Sequence, residues 1–143
     1  MRVSLTGSMQ HRKTIRMNSK AYAALARYSA VLEQLDAGSV ATLYQVMDPR
    51  IRFRDPFSEV MGIDRVQLIF AKLFADCSGI RFKVTERFAN GSQGIMVWTM
   101  SYQLRRWPKR DPWVINGLSQ VSFDPVTGLA VQHVDHWDAG QFY

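Results

Sequence analysis

Two aspartates and a histidine are the residues of this sequence whose type and setting suit acid–base chemistry. The first is Asp55, which ends an alternating segment whose apolar positions are Ile51 and Phe53. Because residues two apart in a strand share a face, Asp55 is predicted to point toward the core. A carboxylate in that position has to be paired or hydrogen-bonded. Two roles stay open for Asp55: a general base, or a cap that accepts hydrogen bonds from nearby backbone amides ahead of Pro56.

The other two candidates, His133 and Asp135, stand two residues apart in the last predicted strand. Their side chains should share a face, ~6.6 Å apart along the strand. A histidine beside a carboxylate is able to shuttle protons, so both are catalytic candidates. The alternative is a hydrogen-bonded core histidine and an aspartate that caps a backbone amide. His136 points to the opposite face, so no shared metal site is expected.

Helices are predicted to carry the first half of the chain. Apolar residues at helical spacing favour a first helix over residues 20–36, which Ser19 caps and Gly38 ends. A short second helix is predicted over residues 40–47. A third follows Gly62 and stops before the Ser78-Gly79 pair.

From Ile80 onward the apolar period becomes two, which is typical of strands. Asn90-Gly91 predicts a tight hairpin turn with both residues at its centre. A second turn is predicted over residues 124–128, before a last strand over residues 129–137. Helices followed by hairpin-linked strands indicate an α+β fold in which the helices cover one face of a curved antiparallel sheet.

The order of these elements resembles the cone-shaped, cystatin-like fold of the nuclear transport factor 2, SnoaL-like and ketosteroid isomerase group. The similarity covers residues 19–143, and its best local matches are Leu35-Asp36-Ala37-Gly38, Arg54-Asp55-Pro56-Phe57 and residues 128–138. The resemblance implies an apolar pocket between helices and sheet, and a homodimer formed through the sheet.

Comparison with ketosteroid isomerases gives Asp55 a possible role and also shows departures. In those enzymes the Asp of an equivalent D-P-F segment is the general base, aided by a Tyr and a protonated Asp that form an oxyanion hole. The resemblance places Val31 at the Tyr position, with Tyr28 one helical turn earlier, and Ser119 at the Asp position. Since losing such a donor typically costs a few kcal/mol of transition-state stabilisation, steroid isomerase activity is not expected.

Resemblance also places the Trp137 face of the last strand inside the cone. Asp135 then matches the first acid of the D-x-[FW]-D segment of limonene epoxide hydrolases. The neighbouring strand, residues 97–102, has neither the acid nor the Arg that those enzymes use, so their catalytic triad is absent. Gly117 and Ser119 are small residues opposite bulky ones, which either leaves room for a ligand or lets the large side chains interdigitate.

Two functional hypotheses follow from the resemblance. The first is a SnoaL-like enzyme that transfers protons on a small, largely apolar carbonyl, polyketide-like or terpenoid molecule. Asp55 and Asp135 would be its acid–base groups and His133 a shuttle. The residues expected to bind the ligand are Tyr28, Trp98, Tyr102, Ser119 and Trp137. The alternative is a non-catalytic ligand-binding or dimerisation module, with an occluded cavity and both aspartates bonded to backbone.

Charge and composition limit the possible partners. The chain of 143 residues has a net charge of +6, but five basic residues and no acid lie in residues 1–20. The domain is therefore nearly neutral, residues 1–18 are predicted to be a disordered basic leader, and nucleic acid is not an expected partner. The lone Cys77 excludes an internal disulfide and suits a cytoplasmic protein. No apolar run reaches the ~18 residues of a membrane span, and no nucleotide or metal motif implies a cofactor.

Overall fold

The computed structural model describes residues 20–138, so the predicted leader and the Ser19 cap lie outside the described residues. Helix α1 covers residues 20–33 and ends three residues earlier than predicted. Its end is set by side chains that replace helical carbonyls. The Asp36 amide donates to Ser39 Oγ at 2.9 Å, and the Gly38 amide donates to Asp36 Oδ1 at 2.9 Å. Such local bonds compete with the helix.

Two further helical segments follow. The first is a 3-10 helix at Val40–Gln45, shorter than the helix predicted there, and Asp48-Pro49 already lie in the next strand. The second is the α-helix α2, Ile63–Asp76, which begins after Gly62 as predicted. Gly62 has a φ of 99°, a conformation that favours glycine and sets the angle at which α2 leaves the sheet.

Six strands form one sheet. They are β1 (Met47–Arg54), β2 (Glu59–Met61), β3 (Cys77–Asn90), β4 (Gln93–Leu104), β5 (Trp113–Phe123) and β6 (Ala130–Trp137). Their order is β2-β1-β6-β5-β4-β3. This confirms the α+β prediction, but the sheet is mixed, because β1 pairs in parallel with β6 while every other pair is antiparallel. A parallel pair needs a long crossover, which β2, α2 and the three strands β3–β5 supply here.

The β3–β4 hairpin turns one residue later than predicted. Asn90 is still paired, with Gln93, so the central residues of the turn are Gly91 and Ser92. Gly91 has a φ of 63°, whereas no non-glycine residue of the described chain has a positive φ. A turn of this kind requires glycine at its first central position only.

The core lies between α1, α2 and the concave face of the sheet. Leu25 of α1 packs on β4, where a Cβ added at Gly94 would come within 3.0 Å of the leucine side chain. Arg87 of β3 holds the same helix, donating from Nε to Ser29 Oγ at 2.8 Å and from Nη2 to Glu33 at 3.3 Å. These contacts fix the distance between helix and sheet.

The space beside Gly117 of β5 is occupied by the side chain of a tryptophan. A Cβ built there would lie 2.5 Å from Cζ2 of Trp98 on the paired strand β4. With the ring lying over Gly117, its Nε1 donates to Ser119 Oγ at 2.8 Å. The small residue therefore interdigitates with a large one, and the space above Gly117 is filled by protein.

We expect Gly117→Ala to destabilise the fold by about 1–3 kcal/mol, because the added methyl overlaps a buried ring. The free energy of unfolding from urea titrations measures this. Gly38→Ala is the matched control, since its added Cβ would meet nothing closer than 3.6 Å. Its effect should stay within roughly 0.5 kcal/mol. Equal effects of the two substitutions would contradict the packing described for Trp98.

Candidate functional site

A cavity of about 380 Å³ opens between the helices and the concave face of the sheet. This volume lies within the range of small-molecule sites. Its wall is mainly apolar and includes the rings of Phe53, Phe57, Phe70, Phe82, Trp98 and Trp137. Polar residues interrupt that wall on the strand side, among them Asp55, Ser119, His133 and Asp135.

His133 is buried between two hydrogen-bond partners, with 3% of its side chain exposed. Tyr28 Oη of α1 lies 2.7 Å from its Nδ1, and Asp135 Oδ1 lies 2.6 Å from its Nε2. The imidazole also stacks on Phe53 of the neighbouring strand β1, with ring centroids 4.7 Å apart. The ring is therefore fixed in position and in orientation.

Asp135 receives its hydrogen bonds on one oxygen. Oδ1 accepts from His133 Nε2 and from Ser119 Oγ, the latter on the paired residue of β5. Ser119 Oγ accepts in turn from Trp98 Nε1. The chain Tyr28–His133–Asp135–Ser119–Trp98 is thus continuous and joins α1 to three strands.

The positions of the protons in this chain follow from its donors. An indole can only donate, so the Ser119 hydroxyl directs its own proton at Asp135. Burial raises the pKa of Tyr28 well above its ordinary value, and the charge of Asp135 raises it further. Tyr28 therefore keeps its proton, and Nδ1 of His133 is the acceptor within reach of this buried hydroxyl. With Nδ1 accepting from Tyr28, Nε2 is the ring nitrogen that donates to Asp135.

The second oxygen of Asp135 is left for the cavity. No residue of the described chain hydrogen-bonds to Oδ2, and 17% of the side chain is exposed. Among residues 20–138, no Lys or Arg lies within 4 Å of this carboxylate. The carboxylate is thus held by hydrogen bonds from Ser119 and His133.

Asp55 lies at the edge of the same cavity, directly after β1. Its Oδ1 accepts from the amides of Phe57 at 2.8 Å and Ser58 at 2.7 Å, which are the hydrogen bonds of the capping role. The side chain nevertheless lines the cavity. Since Arg54 is paired in parallel with Val134, the next residues along the two segments are Asp55 and Asp135. The register thus aligns the backbone positions of Asp55 and Asp135, and both side chains line the cavity.

Comparison of the sequence with known protein families identifies the family of this chain. The model of the SnoaL-like domain matches residues 27–137, which is most of the chain. The chain belongs to the SnoaL-like family. No curated protein sequence matches it.

Solved structures of the same fold resemble this SnoaL-like domain. One is a protein described as a SnoaL-like polyketide cyclase from Jannaschia sp. CCS1, with 13% identity, a TM-score of 0.70, and coverage of 85% of this chain and 88% of that one. TsrD from Streptomyces laurentii has 14% identity and a TM-score of 0.70, covering 84% and 92%. An NTF2-like protein of unknown function from Exiguobacterium sp. 255-15 has 16% identity and a TM-score of 0.67, covering 81% and 98%. At these identities the likeness establishes the fold.

The structure places six of the eight predicted site residues of this SnoaL-like domain on the cavity wall: Asp55, Trp98, Ser119, His133, Asp135 and Trp137. Tyr28 and Tyr102 are fully buried and lie outside that wall. Tyr28 hydrogen-bonds to Nδ1 of His133, the ring nitrogen that does not contact Asp135. Burial raises the pKa of Tyr102, with nearby Cys77 adding to the effect. Strand and helix periodicity predict the face of a residue but not its depth, so both tyrosines were expected to reach the ligand.

Sequence patterns did not identify several other residues of the cavity wall as site residues. Ile69, Phe70 and Leu73 of α2 line the cavity, although their helical spacing indicates only an apolar face. Phe57 also lines it, and its ring meets Trp137 edge-to-face with centroids 5.3 Å apart. The D-P-F segment is the sequence signal that could have identified Phe57 as a residue of the site.

Residues 20–138 contain no group of three or more His, Cys, Asp or Glu side chains suited to hold a metal ion. None of their helices has the length and apolar character needed to cross a membrane. Cys77 lies on the cavity wall as a free thiol, and burial raises its pKa.

The raised pKa of Tyr28 predicts a stability change at alkaline pH. The unfolded phenol ionises near pH 10, whereas the native one ionises only at higher pH. Its contribution is therefore complete below about pH 9 and is lost as the pH rises through 10 and above. We expect Tyr28→Phe to make this decline shallower.

At neutral pH the same substitution should cost about 1–3 kcal/mol, because Nδ1 of His133 loses its donor. Urea titrations between pH 7 and 11 measure both effects. Tyr22→Phe, which removes an exposed hydroxyl of α1, is the control. If both variants have the slope of the unsubstituted protein, the Tyr28 hydroxyl is not the group described here.

Proposed function

We propose that this SnoaL-like domain catalyses proton transfer on a small, largely apolar carbonyl compound bound in the cavity, with Asp135 as the base. The observation that carries the proposal is the fixed carboxylate of Asp135, anchored through Oδ1 while Oδ2 accepts no hydrogen bond from the described residues. A base must be oriented within reach of the proton it removes. The apolar wall suits a carbon acid, and a ligand that fills the cavity would displace water that competes for the carboxylate.

His133 has a supporting role in this proposal. Both of its ring nitrogens are already hydrogen-bonded, so it cannot take up a proton unless one of these bonds reverses. Its Nε2–H instead orients the Asp135 carboxylate, together with the hydroxyl of Ser119. We therefore infer that the proton resides on Asp135 between removal and return, and that His133 is a positioning residue.

Asp55 contributes negative charge at the edge of the cavity. Its Oδ1 holds the turn that ends at Ser58, so protonation of Asp55 would weaken two backbone hydrogen bonds. This is a reason to assign the proton-accepting atom to Asp135 rather than to Asp55. The description of the Jannaschia protein as a polyketide cyclase fits a carbonyl substrate.

The alternative of a non-catalytic binding module requires an occluded cavity and two aspartates bonded to backbone. Asp55 alone has such bonds, since the partners of Asp135 are side chains. The cavity also reaches the surface, because Phe57 and Lys72 belong to its wall and are 52% and 79% exposed, respectively. Both observations favour the enzyme.

Deuterium exchange tests the proposal without knowledge of the natural substrate. 2-Tetralone and related aryl ketones are incubated with the protein in buffered D₂O, and incorporation next to the carbonyl is followed by mass spectrometry. We expect exchange above the buffer rate, and a loss of about 10²–10⁴-fold in Asp135→Asn. Glu59→Gln removes an exposed charge outside the cavity and should leave the rate unchanged. An unchanged rate in Asp135→Asn would refute the assignment of the base.

We also propose that the domain forms a homodimer through the outer face of its sheet. That face carries apolar residues on three neighbouring strands: Val97 of β4, its partner Leu118 of β5, and Val134 of β6. A second copy would cover this stripe while leaving the cavity on the concave side open.

Light scattering should therefore give a mass about twice the 16.4 kDa of one chain. Leu118→Lys places a charge in the proposed contact and should yield a monomer. Val126→Lys is the control, because Val126 is 89% exposed in the β5–β6 turn. A monomeric unsubstituted protein would contradict the proposed dimer.

A further inference from the structure

The charges that line the cavity do not cancel. Four acidic residues contribute to the wall: Glu33, Asp55, Asp76 and Asp135. Two of them have cationic partners, since Glu33 pairs with Arg87 at 3.3 Å and Asp76 with Lys72 at 3.2 Å. Among residues 20–138 no Lys or Arg comes within 4 Å of Asp55 or Asp135.

Neither of these two carboxylates is held by a Lys or Arg of the described chain. Asp55 accepts from backbone amides, while Asp135 accepts from the Ser119 hydroxyl and from Nε2 of His133. Backbone amides stabilise a carboxylate without cancelling its charge. Asp55 therefore brings to the aromatic wall of the cavity a carboxylate that no side-chain cation of the described residues balances.

The geometry around Asp55 is suited to a cation. Its Oδ2 accepts no hydrogen bond from the described residues, and the side chain lines the cavity together with Phe57 and Trp137. The rings of Phe57 and Trp137 meet edge-to-face 5.3 Å apart, so they form an aromatic corner on that part of the wall. Aromatic faces attract ammonium groups through their quadrupoles, and a carboxylate adds a direct charge pair.

We propose that the cavity selects ligands that carry a protonated amine, with the ammonium group bound by Asp55 and the aromatic corner. This names a substrate class for the proposed function and rests on it. An anionic ligand would have to approach the carboxylate of Asp55, and a neutral ligand would leave its charge uncompensated. Because Asp55 and Asp135 line the same cavity, the charge of an ammonium group at Asp55 would stabilise the electron pair that a carbon acid retains when Asp135 takes its proton.

Three probes of similar size and different charge test this inference at pH 7. They are phenethylamine, 2-phenylethanol and phenylacetate, which are a cation, a neutral molecule and an anion. Trp98 and Trp137 lie in the wall, so tryptophan fluorescence reports binding, and calorimetry confirms it. We expect the amine to bind about tenfold or more tightly than the alcohol, and the anion more weakly than the alcohol.

The matched variants are Asp55→Asn and Glu59→Gln. Asparagine keeps an oxygen for the amides of Phe57 and Ser58, so the turn should persist. In Asp55→Asn the amine should lose about tenfold in affinity, while the alcohol binds as before. Glu59→Gln removes one negative charge nearby without touching the cavity wall and should leave all three affinities unchanged.

Several outcomes would overturn the inference. One is an alcohol that binds as tightly as the amine, another is the absence of binding by any probe, and a third is an equal loss for all probes in Asp55→Asn. The comparison of probes on the unsubstituted protein stays decisive even if that variant does not fold. Asp135-dependent deuterium exchange into 2-tetralone and into an aryl ketone that carries a protonated amine is measured on the same protein. Exchange that persists without a preference for the amine refutes the substrate class alone, whereas its absence from both ketones refutes the proposed function.

Discussion

A buried imidazole that must satisfy both of its nitrogens is the constraint on which the site depends. Tyr28 meets one nitrogen from α1, and Asp135 meets the other from the same strand. A buried polar atom left without a partner costs free energy comparable to a lost hydrogen bond. The position of α1 over the sheet and the register of β6 are therefore coupled to one ring. A shift of β6 by one residue would turn His133 and Asp135 to the outer face and break both bonds at once.

Around that ring, apolar packing and polar contacts depend on each other. The missing side chain at Gly117 admits the ring of Trp98, and only in that position does its indole N–H reach Ser119. The Ser119 hydroxyl can then donate its own hydrogen bond to Asp135. A glycine that carries no functional group is thus part of the machinery that orients a carboxylate. Phe53 of β1 stacks on His133 of β6, so the parallel β1–β6 pair also helps to orient the imidazole.

Local patterns in the sequence predict part of this arrangement. Period two along β6 puts His133, Asp135 and Trp137 on one face, and strand parity puts Asp55 on the side of Phe53. The resemblance to SnoaL-like proteins supplies the cone that makes this face internal. Local patterns do not predict which residues that lie far apart in the chain come into contact. The contact of Tyr28 with His133 joins residues 105 positions apart, and the parallel pairing of β1 with β6 depends on where the intervening chain returns. Helical spacing in α2 likewise indicates an apolar face without deciding between a filled core and a cavity wall.

The two carboxylates illustrate how a fold can keep a negative charge while satisfying its hydrogen bonds. Arg or Lys beside Asp55 and Asp135 would have neutralised the cavity, as Arg87 neutralises Glu33 at its margin. Backbone amides hold Asp55, while Ser119 and His133 hold Asp135. Each arrangement uses only one oxygen of the carboxylate and leaves the other toward the cavity. Because no Lys or Arg of the described chain pairs with either carboxylate, the electrostatic field of the site is left for a ligand to complete, and the sign of that field adds to the specificity that the shape of the wall provides.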